Sequence, residues 1–334
     1  VAEMIVKEMK RGNGLITYED LKNYSSKYRP PIIGSYKGYE VISMGPPSSG
    51  GVLLINMLNM LENYPMDSIS WNSSDYIHIM TEVQRRAYAD RAEHMGDPDY
   101  WDVPMIMLTS KAYAKKRIKN IELNNATPSN LISATKRTNY ESPETTHYSV
   151  IDIWGNSVSV TTTINLGYGN GCIVEGAGFF LNNEMDDFSS KPGVPNVFGL
   201  VGNEANAIEP NKRPLSSMTP TIILKDNKPF LVIGSPGGST IITTAMQTIL
   251  NVVDHGMDIK EAVCAARFHS QWLPDVIQIE PRGLAKDVIE NLELRGHKIV
   301  PRGGYIGESN CIMIKEEGIY GGGDCRGETS AIGY

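Results

Sequence analysis

The chain has 334 residues, 41% hydrophobic and 21% charged, with a formal net charge of −7. That is an ordinary globular composition, long enough for a large core in one big domain or two smaller ones. Lys and Arg are scattered without a basic stripe or an RNA-type aromatic motif, which argues against nucleic acid as a partner, and no apolar run approaches the roughly 20 residues that span a bilayer.

Taken in chain order, the first 120 residues read mainly as helices. Thr17 to Asp20 has the form of a capping box opening a short helix. A strand is expected over 36–44. Pro46-Pro47-Ser48-Ser49-Gly50-Gly51 then leads into an apolar helix over 52–62. Ile77, Met80, Gln84, Ala87 and Tyr88 share one face of a long helix that Gly96 would terminate. Residues 111–120 continue helical. His78 and Glu82 lie one helical turn apart, a spacing more often found on a surface than at a metal site.

Residues 124–144 are crowded with Asn, Thr, Ser, Pro and Lys and lack apolar periodicity, so they cannot bury enough surface to act as a core element. The texture then changes. Residues 149–164 read as two β runs around a Gly155-Asn156 turn. Short strands with Gly and Asn turns follow, interrupted by helices over 240–254 and 284–295. This pattern fits helices packed on stacked sheets.

Thr145 stands where the polar tail meets the first strand. A cut between Glu144 and Thr145 would give it a free α-amine beside its own Oγ. Such an amine titrates at about 7.7–8.0 and serves as a base for the hydroxyl. Read alone, the same residues also describe a plain threonine-rich strand start. Gly237 and Gly238, between Ser235-Pro236 and a helix starting near Ser239, would let a substrate oxygen approach backbone N–H groups at a helix N-terminus. Read alone, these residues describe a plain strand-to-helix turn better. A phosphate loop does not fit, because the lysine of that motif is absent. Glu184 and Asp187 are carboxylates three apart, suited to an ammonium group or simply to a solvated loop.

The four cysteines, Cys172, Cys264, Cys311 and Cys325, show no CxxC pair or metal-finger spacing. Cys311 and Cys325 lie in neighbouring strand-like segments around Gly318 and read as cross-strand partners, which would suit an oxidising compartment. Four buried free thiols is the alternative.

Six segments together resemble the γ-glutamyltranspeptidase family of N-terminal-nucleophile hydrolases. They are Thr145-Thr-His-Tyr-Ser-Val, Asn182-Asn-Glu-Met-Asp-Asp-Phe, Lys191-Pro-Gly-Val-Pro-Asn-Val-Phe, Pro214-Leu-Ser-Ser-Met, Gly234-Ser-Pro-Gly-Gly-Ser and Arg267-Phe-His-Ser-Gln-Trp-Leu-Pro-Asp, in the family's order and spacing. The likeness runs from about Gly14 to the C-terminus.

The resemblance implies an α+β, four-layer αββα sandwich and a precursor that cuts itself between Glu144 and Thr145. Residues 1–144 would be the C-terminal part of a large subunit, with a flexible tail over 121–144, and residues 145–334 the small catalytic subunit. Thr145 is the implied nucleophile and Thr163 the threonine that bonds its amine. Gly237 and Gly238 would form the oxyanion hole. Glu184 and Asp187, supported by Asn165, would hold the substrate α-amino group, and Ser216 and Ser217 its α-carboxylate. Residues 192–203 resemble a lid over the glutamyl pocket, with Phe198 where many relatives carry tyrosine.

Glutathione and related γ-glutamyl compounds are the implied donors, with water, amino acids or dipeptides as acceptors and no metal or organic cofactor. The two subunits would pair as a heterodimer, in the periplasm or secreted. Family members begin with a further stretch carrying a signal peptide and a carboxylate-binding arginine, so the chain reads as N-terminally incomplete. Thr240 replaces a common arginine and Cys325 a common proline. The rival readings are an acylase or poly-γ-glutamate transferase of the same family, or a non-catalytic fragment of it.

Overall fold

The computed structural model describes residues 1–132, 145–191, 193–194, 196, 200 and 202–333. The chain opens with α1 (Ala2–Gly12) and α2 (Tyr18–Asn23), the latter started by the expected capping box: Thr17 Oγ1 accepts the Asp20 N–H while the Asp20 carboxylate accepts the Thr17 N–H. The strand expected over 36–44 is β2 (Tyr39–Ser43), and it pairs in a hairpin with a preceding strand that the sequence reading lacks, β1 (Ile32–Tyr36). Lys37 and Gly38, both at positive φ, reverse the chain between them.

Next come α3 (Gly50–Leu61), α4 (Ser74–His94), α5 (Met105–Leu108) and α6 (Lys111–Arg117). The long helix α4 starts where Ser73 Oγ accepts the Tyr76 N–H, and it ends at Met95 in extended backbone. Gly96 is therefore not the helix cap. Its role is close approach, since a Cβ there would stand 2.2 Å from the Ala205 carbonyl oxygen.

After Thr145 come β3 (Thr146–Ile151) and β4 (Ser157–Thr162), a hairpin turning through Gly155, then β5 (Thr221–Lys225) and β6 (Lys228–Ile233). Asp226 and Asn227, both left-handed, join the latter pair, the backbone a tight hairpin demands. The remainder is α7 (Thr240–Val253), α8 (Ile259–Cys264), β7 (Phe268–His269), β8 (Ile277–Ile279), α9 (Lys286–Leu294), β9 (Ile299–Pro301), β10 (Cys311–Lys315) and β11 (Gly318–Gly322).

A six-stranded sheet runs in the order β1-β2-β5-β6-β10-β11. Its β2–β5 ladder, from Glu40 opposite Leu224 to Ser43 opposite Thr221, joins the segments before and after Thr145 into one sheet. Val41, Ile223, Leu231, Ile233 and Met313 share a core with α3 and α7, whose residues are buried on every side as expected of helices enclosed in a core. Truncating one such side chain, Leu54 to Ala, would cost roughly 2–5 kcal/mol.

The β3–β4 hairpin stacks against β5, β6 and β10, and serine hydroxyls stitch this seam. Ser149 Oγ donates to the carbonyls of Val232 (3.2 Å) and Asn310 (2.9 Å), and Ser159 Oγ donates to that of Ile233 (2.9 Å). Helices, six-stranded sheet and two-stranded sheet thus give three consecutive layers of the expected αββα order.

The cysteine pairing departs from expectation. Cys264, at the end of α8, is bonded to Cys325, with Cα atoms 5.2 Å apart. Cys311 stays a buried thiol beside Ser309 Oγ. In the β10–β11 ladder Cys311 faces Gly322, so Cys325 lies beyond the strand end, where α8 packs and Cys311 cannot reach.

Candidate active site

Strand register assembles the proposed nucleophile and its partner. The β3–β4 ladder sets Thr146 opposite Thr162, so Thr145 and Thr163 fall opposite each other one step beyond. Thr145 Oγ1 donates to Thr163 Oγ1 at 3.3 Å, and the Asn165 N–H donates to the same oxygen at 2.9 Å. Asn165 is buried with φ at 73°, an unusual backbone that Asn tolerates better than most residues. Its side-chain amide donates to the Asn183 carbonyl, which anchors the turn leading to Glu184.

One cleft collects most of the expected residues. Thr145, Thr163, Asn165, Asp187, Ser216, Ser217 and Gly238 line it, together with Leu200, Met218, Ser239 and Ile241. Glu184 and Gly237 are not among the lining residues and adjoin them through Asp187 and Gly238. Glu144 and Phe198 fall outside the described residues, as do several other positions of the expected lid.

Glu184 and Asp187 share a single 3₁₀ turn, Glu184–Asp187, and are close enough to share a proton. Burial, reinforced by the Glu184 charge, pushes the Asp187 carboxyl up to about 8. Burial also raises Glu184, whose Oε1 is buried without a hydrogen-bond partner. Two crowded carboxyls with a spare acceptor atom would suit a positively charged group.

Asn206, which sequence reasoning missed, ties this turn to the serine pair. Its amide donates to the Asp187 carbonyl (2.7 Å) and its Oδ1 accepts the Leu215 N–H (3.0 Å). Buried asparagine between two loops is the available signal, but it has meaning only once both loops are known to meet.

The glycine turn sits at the start of α7. Gly237 has φ at +134° and Gly238 at +57°, conformations that side chains rarely adopt. A Cβ on Gly237 would also stand 2.5 Å from Thr240 Oγ1. Thr240 explains itself here: its Oγ1 donates to the Gly237 carbonyl at 2.7 Å and locks the turn. Behind it, the Ser239 hydroxyl donates to Gln271 Oε1 at 2.6 Å, and Tyr88 OH donates to the Ser239 carbonyl.

His147, two residues after Thr145, is a neutral structural anchor. Ser149 Oγ already donates to main-chain carbonyls, so His147 Nε2–H donates to it and Nδ1 accepts from Thr161 Oγ1 at 2.8 Å. Burial holds this imidazole down at about 4. The ring lies where a Cβ on Gly234 would be, which packs the β3 strand against the glycine turn.

His78 and Glu82 are buried rather than on the surface. With His297 they bring three metal-ligand atoms within 4.8 Å of one another, but protein partners already occupy them. His78 Nε2–H donates to the Glu122 carbonyl, and His297 Nε2–H donates to His78 Nδ1, each at 2.7 Å. Glu82 accepts from Arg85, Arg86 and the Thr127 N–H. The cluster pins the segment after α6 onto α4. Among the described residues, no helix is long and apolar enough to cross a membrane.

Comparison with known proteins shows the family of the chain. Residues 1–334 match the sequence profile of the family described as Gamma-glutamyltranspeptidase. The chain is 50% identical over 327 residues to a glutathione hydrolase proenzyme of Escherichia coli, covering 98% of this chain and 56% of that protein. A crystal structure of a Helicobacter pylori γ-glutamyltranspeptidase mutant aligns with a TM-score of 0.53 at 60% identity, over 55% of this chain and 100% of that one. A cephalosporin acylase from Bacillus halodurans aligns with a TM-score of 0.82 at 26% identity, over 97% of this chain and 56% of that one. The chain spans about half the length of the curated relatives it matches. Its fold is that of the N-terminal-nucleophile hydrolases, and it belongs to the γ-glutamyltranspeptidase family.

Proposed function

We propose that the protein is a γ-glutamyltranspeptidase acting on glutathione and related γ-glutamyl compounds, matured by self-cleavage between Glu144 and Thr145. The observation that carries this reading is the single cleft holding Thr145, Thr163, Asp187, Ser216, Ser217 and Gly238. It offers a hydroxyl nucleophile, acidic groups for an ammonium and a hydroxyl pair for a carboxylate, all around one small space.

In maturation, Thr145 Oγ adds to the Glu144 carbonyl carbon. The C–N bond breaks as the hydroxyl proton passes to nitrogen, and water hydrolyses the resulting ester. Thr145 is left with a free amine, Glu144 with a carboxylate. The amine then takes the Oγ proton as Oγ attacks the γ-glutamyl amide, and returns it to the departing amine. Gly237 and Gly238 N–H groups are assigned to the oxyanion, with Thr163 orienting the nucleophile. Water resolves the acyl-enzyme to glutamate; an acceptor amino acid or dipeptide gives a new γ-glutamyl product. The β2–β5 ladder supports a paired large and small subunit after the cut.

Asp187, with Glu184 and Asn165 behind it, is assigned the donor's α-amino group, and Ser216 and Ser217 its α-carboxylate. A lid over residues 192–203, including Phe198, completes the reading. The disulfide Cys264–Cys325 supports a periplasmic or secreted location.

The test is Thr145→Ala, followed by intact mass and glutathione turnover. The expected variant is a single uncut chain with no activity. Cleavage at this bond without an added protease would remove Thr145 as nucleophile. The acylase reading, raised by the cephalosporin acylase likeness, predicts equal use of a glutaryl amide, which lacks the α-amino group.

A further inference from the structure

We propose that Arg91 is a positioning residue that, with the 46–51 turn, presets Ser216 and Ser217 as hydrogen-bond donors and so determines recognition of the donor's α-carboxylate. The inference rests on the function proposed above and adds to it a guanidinium that touches no substrate.

Arg91 lies near the end of α4 and is only 4% exposed. Its Nε donates to Ser49 Oγ at 2.9 Å and its Nη2 to Ser217 Oγ at 3.3 Å. A hydroxyl carries one proton. Ser217 Oγ accepts from a cation behind it, so its own proton is turned towards the cleft that Ser217 lines. Ser216 is arranged alike, its Oγ accepting the Met218 N–H at 3.1 Å. Both hydroxyls therefore accept from the protein side and donate forwards. A carboxylate is acceptor-only, and it is the ligand that matches two converging donors with positive charge behind one of them.

The 46–51 turn holds this pair in place. Ser216 N–H donates to the Pro47 carbonyl (2.9 Å), while the N–H and Oγ of Ser49 both donate to the Ser216 carbonyl at 2.8 Å. Ser48 Oγ donates to the Met218 carbonyl at 2.7 Å. A Cβ on Gly50 would stand 2.3 Å from that same carbonyl oxygen, so the two turns meet backbone to backbone. The Pro-Pro-Ser-Ser-Gly-Gly run, unexplained in the sequence, thus acts as a cradle for the serine loop. The Arg91 charge also reaches Asp187, which it draws towards ionisation. That pull is outweighed by burial and the Glu184 charge, which keep Asp187 raised, so Arg91 acts chiefly at the serine pole.

The test uses the full-length, self-processed protein with two donors. One is γ-glutamyl-p-nitroanilide; the other is 4-aminobutyryl-p-nitroanilide, which keeps the amine and lacks the α-carboxylate. Arg91→Met should raise KM for the first roughly 10- to 100-fold with little change in kcat, the scale of a hydrogen bond to a charged group. Its kinetics on the second should stay within about threefold, so that discrimination collapses; Arg91→Lys should restore part of it. Where Arg91→Met does not fold, Ser49→Ala supplies the answer, since it removes the hydroxyl linking Arg91 to the Ser216 carbonyl and should give a smaller KM rise on the first donor alone. Equal losses on both donors, or unchanged kinetics, would overturn the proposal. A parent enzyme that does not prefer the γ-glutamyl donor would instead overturn the serine-pair assignment, and that result shows before any variant is made.

Discussion

Thr145 and Thr163 face each other one step beyond the last β3–β4 pair, with their hydroxyl oxygens 3.3 Å apart. In the uncut chain the Thr145 nitrogen is an amide and cannot serve as base, so Thr163 is the described hydroxyl that meets the nucleophile directly. Thr163→Val keeps the branched shape and removes the hydroxyl. Self-cleavage and turnover should both slow by roughly tenfold or more, the worth of one hydrogen bond, while Thr163→Ser retains most of each rate. Time courses of subunit appearance and of γ-glutamyl anilide hydrolysis measure the two steps. Full rates in the valine variant would show that the contact does not act on the nucleophile.

The Asp187–Glu184 pair predicts a pH limb. Asp187 is raised to about 8 because burial and the Glu184 charge oppose its ionisation. At neutral pH the free carboxyl pair therefore holds a proton, which a donor ammonium would displace under the proposed function. As pH rises from 6 to 9 that proton leaves, so kcat/KM for glutathione should climb through about pH 8. Asp187→Asn should leave only the limb of the Thr145 amine and lower kcat/KM by about 100-fold, with self-cleavage intact. A flat parent profile across this range would exclude Asp187 from the ammonium site.

How far the sequence reveals this site depends on how local each signal is. The Thr145 strand, the Gly237-Gly238 turn and the helices α3, α4 and α7 follow from turn residues and periodicity within a few positions, and the sequence displays them. β2 is legible but β1 is not, because Lys37-Gly38 is an inconspicuous turn and does not announce a hairpin. The Cys264–Cys325 link spans 61 positions, and Arg91 reaches Ser49 and Ser217 across 42 and 126. Asn206 and His78 likewise gain meaning from partners distant in the chain. A buried polar side chain is defined by what folds over it, and one-dimensional spacing does not carry that.

His147 predicts acid sensitivity confined to a window. In the unfolded chain it protonates near 6.5, whereas in the fold burial delays this to about 4. The unfolded state thus binds the extra proton first as pH falls. Stability is fully present above about pH 6.5 and lost progressively down to about 4, by up to about 3 kcal/mol. Urea midpoints of the parent and of His147→Gln, taken at pH 7.5 and 4.5, isolate the contribution. The variant should start less stable and lose less on acidification. An identical pH slope in both proteins would mean that His147 is not buried as a neutral ring.

The Cys264–Cys325 bond should stabilise the Gly237-Gly238 turn from behind. Asp324, next to Cys325, accepts from Arg267 Nη2 and from the Ser309 N–H, each at 2.7 Å. Arg326 on the other side pairs with Glu280, whose carboxylate also accepts the Arg267 and Ile306 N–H groups. The segment so held passes to the glycine turn: the Glu308 N–H donates to Ser235 Oγ (2.9 Å) and Ser309 Oγ donates to the Gly234 carbonyl (3.1 Å). Closing a separation of 61 residues is worth up to about 4 kcal/mol in chain entropy, and 2–4 kcal/mol is typical for such a bond. The Cys264→Ser, Cys325→Ser double variant should therefore melt several degrees below the parent and lose some kcat, because the turn is less firmly backed. Parent protein in excess dithiothreitol should fall to the Tm of the double variant, and the reductant should leave that variant unmoved. A parent Tm indifferent to reductant, together with two alkylatable thiols at these positions, would show that the bond does not form.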